Sequence, residues 1–301
     1  MTSTTDTLGT ADTQGASRPE HRRDDGLDKL KVAGLTLQGI ASGGIETCLM
    51  VPELRLMFDV GMVPSGALRY STVLISHGHA DHLGGVAYLL AQRRMQGLPP
   101  LTLHVPEEIV ASLRMIFAGW GSISNRDLEV DLHGHAPGAR VDLGRGITAI
   151  ARRSTHRVPS LAWAIERQTK RLREEFVGMN NAELQKLRRS GVEITASHQE
   201  LALCVTGDTR IELLRDDPLI ADARVLVHEV TGWDSRRDVD ATRHWGHTHL
   251  DELVELAEQR FRGEALVLVH RSPRHSRTEA ERLVRERFSP AFRERVHVFG
   301  H

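Results

Sequence analysis

Between positions 77 and 82 the chain reads His77-Gly78-His79-Ala80-Asp81-His82, directly after the apolar run 72–76. Four side chains able to bind a metal occupy these six positions. A strand must end there, on a turn tight enough for the four to converge. In extended backbone alternate residues share a face, so His77 and His79 can grip one cation, while Asp81 and His82, past the turn, can reach a second beside it. Gly78, Gly84 and Gly85 permit the sharp backbone this needs. Imidazole and carboxylate ligands suit zinc in a site that keeps positions open to water. Histidine is plentiful beyond this cluster, with 17 in 301 residues.

Short apolar runs rich in β-branched residues predict strands at 35–40, 46–51, 54–60 and 72–76, ahead of any helix. Helical spacing over 83–95 ends before Pro99-Pro100, and Pro106-Glu107-Glu108 opens a second helix after a strand at 101–105. Further strands are expected at 147–152, 161–166, 201–206, 224–227, 265–269 and 296–299, with helices at 182–190, 249–261 and 278–288. Strand runs with interspersed helices predict an α/β architecture of two packed sheets covered by helices. A disordered tail over 1–27, rich in Thr, Ser, Asp and Arg, is expected before a single domain spanning 28–301.

Composition excludes several classes. Forty acidic against 39 basic side chains rule out a uniformly basic nucleic-acid binder, though not a local basic patch. One such patch is the segment 167–190, where Arg167, Lys170, Arg171, Arg173, Lys186, Arg188 and Arg189 outnumber Glu174, Glu175 and Glu183. It reads as a helical excursion or a short phosphate-contacting arm. Cys48 and Cys204 are too few for a disulfide framework, and both lie in apolar stretches. With no secretory leader and no run of about 18–20 apolar residues, a soluble cytoplasmic protein without membrane contact is expected.

The sequence His77-x-His79-x-Asp81-His82 resembles the signature motif of the metallo-β-lactamase superfamily, an αββα four-layer sandwich. Other marks of that family follow in order. Asp59, in Phe58-Asp59-Val60-Gly61, matches an aspartate that orients the metal-binding loop without being a ligand. His156 matches the last histidine of the first metal, Asp208 the carboxylate that bridges both, and His270 the final histidine of the second. The resemblance thus implies two divalent metal ions, with zinc expected, held by His77, His79, Asp81, His82, His156, Asp208 and His270.

Two further segments, Val227-His228-Glu229-Val230-Thr231 and Gly246-His247-Thr248-His249, are similar to ribonuclease Z, most of all to its short, plant-type members. That family trims the 3′ ends of precursor tRNA and commonly forms homodimers, so both are implied here. Glu229 and His247 match a pair that manages the leaving-group proton, and Asp81 has a second implied role in orienting the attacking water. The family's His-Phe-Ser-Ser-Arg-Tyr segment appears as His270-Arg271-Ser272-Pro273-Arg274-His275, leaving Ser272 and Arg274 as phosphate contacts. The long tRNA-binding arm of many bacterial members is absent, since only 51 residues separate His156 from Asp208. Hydrolysis of small phosphodiesters, lactones or thioesters is the alternative, and a non-catalytic scaffold a more distant one. Trp245 reads as core packing or as a base-stacking surface, with packing expected, and His228 is expected to cap its strand.

Overall fold

The computed structural model describes residues 26–300, so the tail expected over 1–27 falls outside the described residues except for its last two positions. Burial alternates along β1 (Asp28–Val32), with Leu30 and Val32 covered while Lys29 and Lys31 face solvent. The chain continues through β2 (Leu35–Ser42), β3 (Glu46–Val51), β4 (Leu56–Phe58), β5 (Thr72–Leu74), β6 (Leu101–Pro106) and β7 (Val130–His135). These form one seven-stranded sheet in sequence order, antiparallel from β1 to β4 and parallel from β4 to β7.

The second sheet repeats this plan. It contains β8 (Arg140–Asp142), β9 (Ile147–Arg153), β10 (Leu161–Leu172), β11 (Thr195–Val205), β12 (Val225–Glu229), β13 (Ala265–Val269) and β14 (Val296–Val298). Pairing is antiparallel from β8 to β11 and parallel from β11 to β14. Parallel neighbours need crossovers, and the helices that supply them cover the outer faces.

Alternation along the strands sorts side chains into three apolar layers. Leu37, Phe58 and Leu74 of the first sheet meet Ala149, Trp163, Leu203 and Val227 of the second. Met57, Val73 and Leu103 point the other way, onto Leu89, Leu90, Leu113 and Phe117 of the helices Val86–Met95 and Val110–Ser124. On the far side Leu226 and Leu268 pack with Leu253 and Leu283 of the helices Leu250–Arg260 and Arg277–Arg287. The result is the αββα sandwich. Trp163 ties its halves together, buried between the sheets with its indole N–H donated to the Ile75 carbonyl at 2.9 Å.

Several elements depart from the sequence expectation. The helix expected over 83–95 is split into Ala80–Leu83 and Val86–Met95, because the Gly85 N–H leaves the helical register to bond the Val60 carbonyl at 2.8 Å. β10 runs on to Leu172 and β11 begins at Thr195, so the basic segment starts as a two-stranded ribbon rather than a helix. Its tip carries the helix Asn181–Arg189, opened by a capping box between Asn180 and Glu183. β1, β7 and β8 have no counterpart in the expectation. His228, expected to cap its strand, is fully buried within β12, with Nδ1 bonded to the Glu229 carbonyl at 2.7 Å. Among the described residues no helix is long and apolar enough to cross a membrane.

Candidate metal centre

The parallel strands of both sheets deliver their carboxyl ends to one place. Asp59 follows β4, His77 follows β5, Asp208 follows β11, Glu229 ends β12 and His270 follows β13. His156 arrives from the loop between β9 and β10. Asp59 and His270 both hold left-handed backbone, with φ of 55° and 61°, a strain of about 1–2 kcal/mol each for residues with a Cβ. Gly207 turns with φ of 58°, and a Cβ there would sit 2.3 Å from that of Ser76, so glycine lets the Asp208 loop close against the His77 loop.

Two groups of ligand atoms emerge. In the first, His77 Nε2 and His79 Nδ1 stand 3.0 Å apart, and His156 Nε2 is 3.3 Å from His79 Nδ1. Asp208 Oδ2 lies 3.7 Å from His77 Nε2 and 3.9 Å from His156 Nε2. In the second, His82 Nε2 and His270 Nε2 are each 3.3 Å from Asp208 Oδ1 and 3.6 Å from Asp81 Oδ2. Asp208 therefore offers one oxygen to each group. Tetrahedral Zn–N bonds of about 2.0–2.1 Å place neighbouring ligand atoms roughly 3.3 Å apart, which these spacings match.

Two buried carboxylates aim the rings. Asp59 accepts the Ser76 N–H at 2.7 Å, the Ser76 hydroxyl at 2.8 Å and His82 Nδ1–H at 2.8 Å. The Ser76 oxygen, its proton committed to Asp59, accepts from His77 Nδ1 at 2.9 Å. Glu229 repeats the device on the other sheet. It accepts His247 Nδ1–H at 2.9 Å, the Thr231 hydroxyl at 2.9 Å and the N–H groups of Thr209 and Thr248. Thr231 in turn accepts from His270 Nδ1 at 2.9 Å. The Gly246 carbonyl takes His156 Nδ1–H at 2.8 Å. Each of these rings is held through Nδ1, which turns its Nε2 toward the centre.

The atoms at the centre test whether a cation fits. His82 Nε2, His270 Nε2 and Asp208 Oδ1 are buried without a hydrogen-bond partner, which is costly unless something positive lies between them. Burial works against charge on His77 and holds its pKa well below the usual imidazole value, so its lone pair stays available. Burial also opposes ionisation of Asp208, but His270 and His82 outweigh it and keep the carboxylate charged. Asp81 is likewise opposed by burial, yet His270 and His82 bring it down to about 2. Five imidazole nitrogens and two ionised carboxylates are a donor set for two divalent cations.

The seven expected ligands converge, and the Glu229–His247 pair stands beside them. Ser272 and Arg274 lie in the loop after His270, outside both groups; Arg274 is exposed and has no carboxylate partner among the described residues. Arg271 and His275, the departures from the family segment, are buried, and Arg271 donates to the carbonyls of His275 and Gly300. Trp245 corrects its expectation: it is half exposed, because the turn that carries it projects from the surface beside His156. Ser76 and Thr231 are absent from the sequence reading, although each sits one or two positions from a residue it serves, a signal too short to separate from an ordinary strand end.

This fold and site define a metallohydrolase of the β-lactamase superfamily, and residues 59–271 match the model of that family, the β-lactamase superfamily domain. The chain is 32% identical over 255 residues to tRNase Z TRZ1 of Arabidopsis thaliana, covering 84% of this chain and 90% of that protein. It is 31% identical over 249 residues to the chloroplastic tRNase Z TRZ2 of the same plant, covering 82% of this chain and 70% of that one. Among solved structures, the metallo-β-lactamase fold protein YhfI of Bacillus subtilis superimposes with a TM-score of 0.61 at 13% identity, over 86% of this chain and 93% of that one. The short form of human tRNase Z superimposes at 0.53 and 18%, over 95% and 93%. The chain belongs to the tRNase Z family.

Proposed function

We infer that the protein is a zinc-dependent endonuclease that processes the 3′ end of precursor tRNA. The observation that carries this reading is the Asp208 carboxylate shared between two histidine groups, with the Glu229–His247 pair alongside. Bound zinc supplies Lewis acidity and lowers the pKa of a water ligand from 15.7 toward about 7. The side chains do the rest. Asp81, held by the Gly44 N–H at 3.0 Å, orients the attacking water and takes its proton. His247, its Nδ1–H bonded to Glu229, hands a proton from Nε2 to the departing 3′-oxygen.

The basic ribbon supports an RNA substrate. Arg167 and Arg171 are paired with Glu200 and Arg173 with Glu175, but Lys170, Lys186, Arg188 and Arg189 have no ion pair among the described residues. These four cations and the unpaired Arg274 are available to phosphates, with Ser272 beside Arg274. In this reading two copies pair as a homodimer, one subunit's ribbon presenting tRNA to the other's site. Exposed Met115, Ile116, Trp120 and Ile123 on the helix Val110–Ser124 offer apolar surface for such pairing. Two free, buried cysteines fit a reducing compartment, the cytoplasm.

The test is incubation of zinc-loaded protein with a precursor tRNA carrying a 3′ trailer, alongside a bis-aryl phosphodiester, with His247→Ala as control. Cleavage of the tRNA at one site, falling about 10²–10⁴-fold in the variant while zinc is retained, is expected. Cleavage of the small diester alone would transfer the substrate to the small-molecule class, which the short arm favours.

A further inference from the structure

Trp245 is 51% exposed. An indole left in water two residues before His247 needs a use. The guanidinium carbon of Arg157 stands 4.8 Å from the indole centroid, and Arg157 is itself exposed, next to His156, with no carboxylate partner among the described residues. The His244 ring meets the indole edge-on at 5.6 Å. The turn carrying Trp245 is pinned to the metal centre. The Gly246 carbonyl holds His156, and a Cβ on Gly246, whose φ is 84°, would come within 2.8 Å of His156 Nδ1 and 3.0 Å of Arg157 Cγ.

We propose that Trp245 and Arg157 form a nucleobase-binding platform, on which the base of a nucleotide flanking the cleaved phosphate stacks while Arg157 contacts a neighbouring phosphate. The inference rests on the nuclease reading and adds to it a residue that positions the substrate. Aromatic faces accept any base, so the platform grips single-stranded RNA without reading its sequence. An arginine over an indole is held in plane by cation–π attraction and still presents its N–H fork to phosphate. Because the turn is fixed to His156 and leads into His247, a stacked base is registered against the atoms that carry out cleavage. A role in packing alone would instead bury the ring.

The experiment compares wild type, Trp245→Phe and Trp245→Ala, all zinc-loaded. Two kinds of diester share a p-nitrophenyl leaving group, nucleoside p-nitrophenyl phosphates in 3′- and 5′-linked forms, and methyl p-nitrophenyl phosphate. Wild type should favour one nucleoside ester over the methyl ester through a lower KM. That preference should fall roughly ten- to hundredfold in Trp245→Ala and be largely restored in Trp245→Phe. In a His247→Ala background, which needs no turnover, Trp245→Ala should bind a short labelled oligoribonucleotide correspondingly more weakly, read by fluorescence anisotropy. Equal affinities in that assay, or an unchanged nucleoside preference, would overturn the platform. Failure to cut precursor tRNA with the nucleoside preference intact would overturn the tRNA assignment and leave the platform standing.

Discussion

Asp59 and Glu229 each hold one histidine directly and a second through a hydroxyl, so two carboxylates orient His82, His77, His247 and His270. Thr231→Val keeps the shape of the side chain and removes the relay to His270, while Ser76→Ala removes the one to His77. Each is expected to weaken zinc binding about 10–100-fold, measured by competition with a chromophoric chelator. Affinities equal to wild type would reduce both hydroxyls to packing. A second prediction concerns pH. Burial works against charge on His247, but Glu229 outweighs it and raises the pKa. A proton donor acts only below its pKa, so activity falls as pH rises through that value. Glu229→Gln removes the lift and should move the alkaline limb of the pH–rate profile to lower pH; a limb that stays put would assign it to another group. The residues that converge at the centre were legible in the sequence because their types and order are distinctive. The hydroxyls were not, because a serine or threonine at a strand end has many ordinary uses.

Among elements, the strands with uninterrupted apolar runs were read nearly to the residue. β3 and β13 match their expected bounds, since such runs can only be covered from both sides. β7 was missed because it lies at a sheet edge and carries Asp131, His133, Gly134 and His135 in six residues, a composition that resembles a loop. The ribbon formed by the outer parts of β10 and β11 is hard to recognise as strand for a related reason. Both of its faces are exposed, so charged residues replace the alternation that marks a half-buried strand. Leu172 pairs with Thr195 where the ribbon leaves its last ladder contact. Replacing residues 173–194 by an Asn-Gly turn should preserve the fold, and the spectrum of the zinc-loaded protein should be unchanged. Loss of Lys186, Arg188 and Arg189 should lower kcat/KM for precursor tRNA at least tenfold and flatten its salt dependence, with much less effect on a bis-aryl diester. Equal losses on both substrates would mean that the segment supports the site rather than the RNA.

At the scale of the whole molecule, the two seven-stranded sheets are similar in plan, each passing from antiparallel to parallel pairing. The parallel parts end at a common edge, and the centre is assembled from both, so neither half contains it alone. His77, His79, Asp81 and His82 come from the first, and His156, Asp208 and His270 from the second. Sequence reading reached the layered architecture through the order of strands and helices. The symmetry of the sheets stayed hidden, because it lies in pairing directions that no local pattern encodes. The most direct test of the centre is diffraction at the zinc absorption edge from crystals of the zinc-loaded protein. Two anomalous peaks are predicted, one among His77, His79 and His156, the other among Asp81, His82 and His270, with Asp208 touching both. A single peak, or peaks that bypass Asp208, would contradict the shared-carboxylate centre on which the functional reading stands.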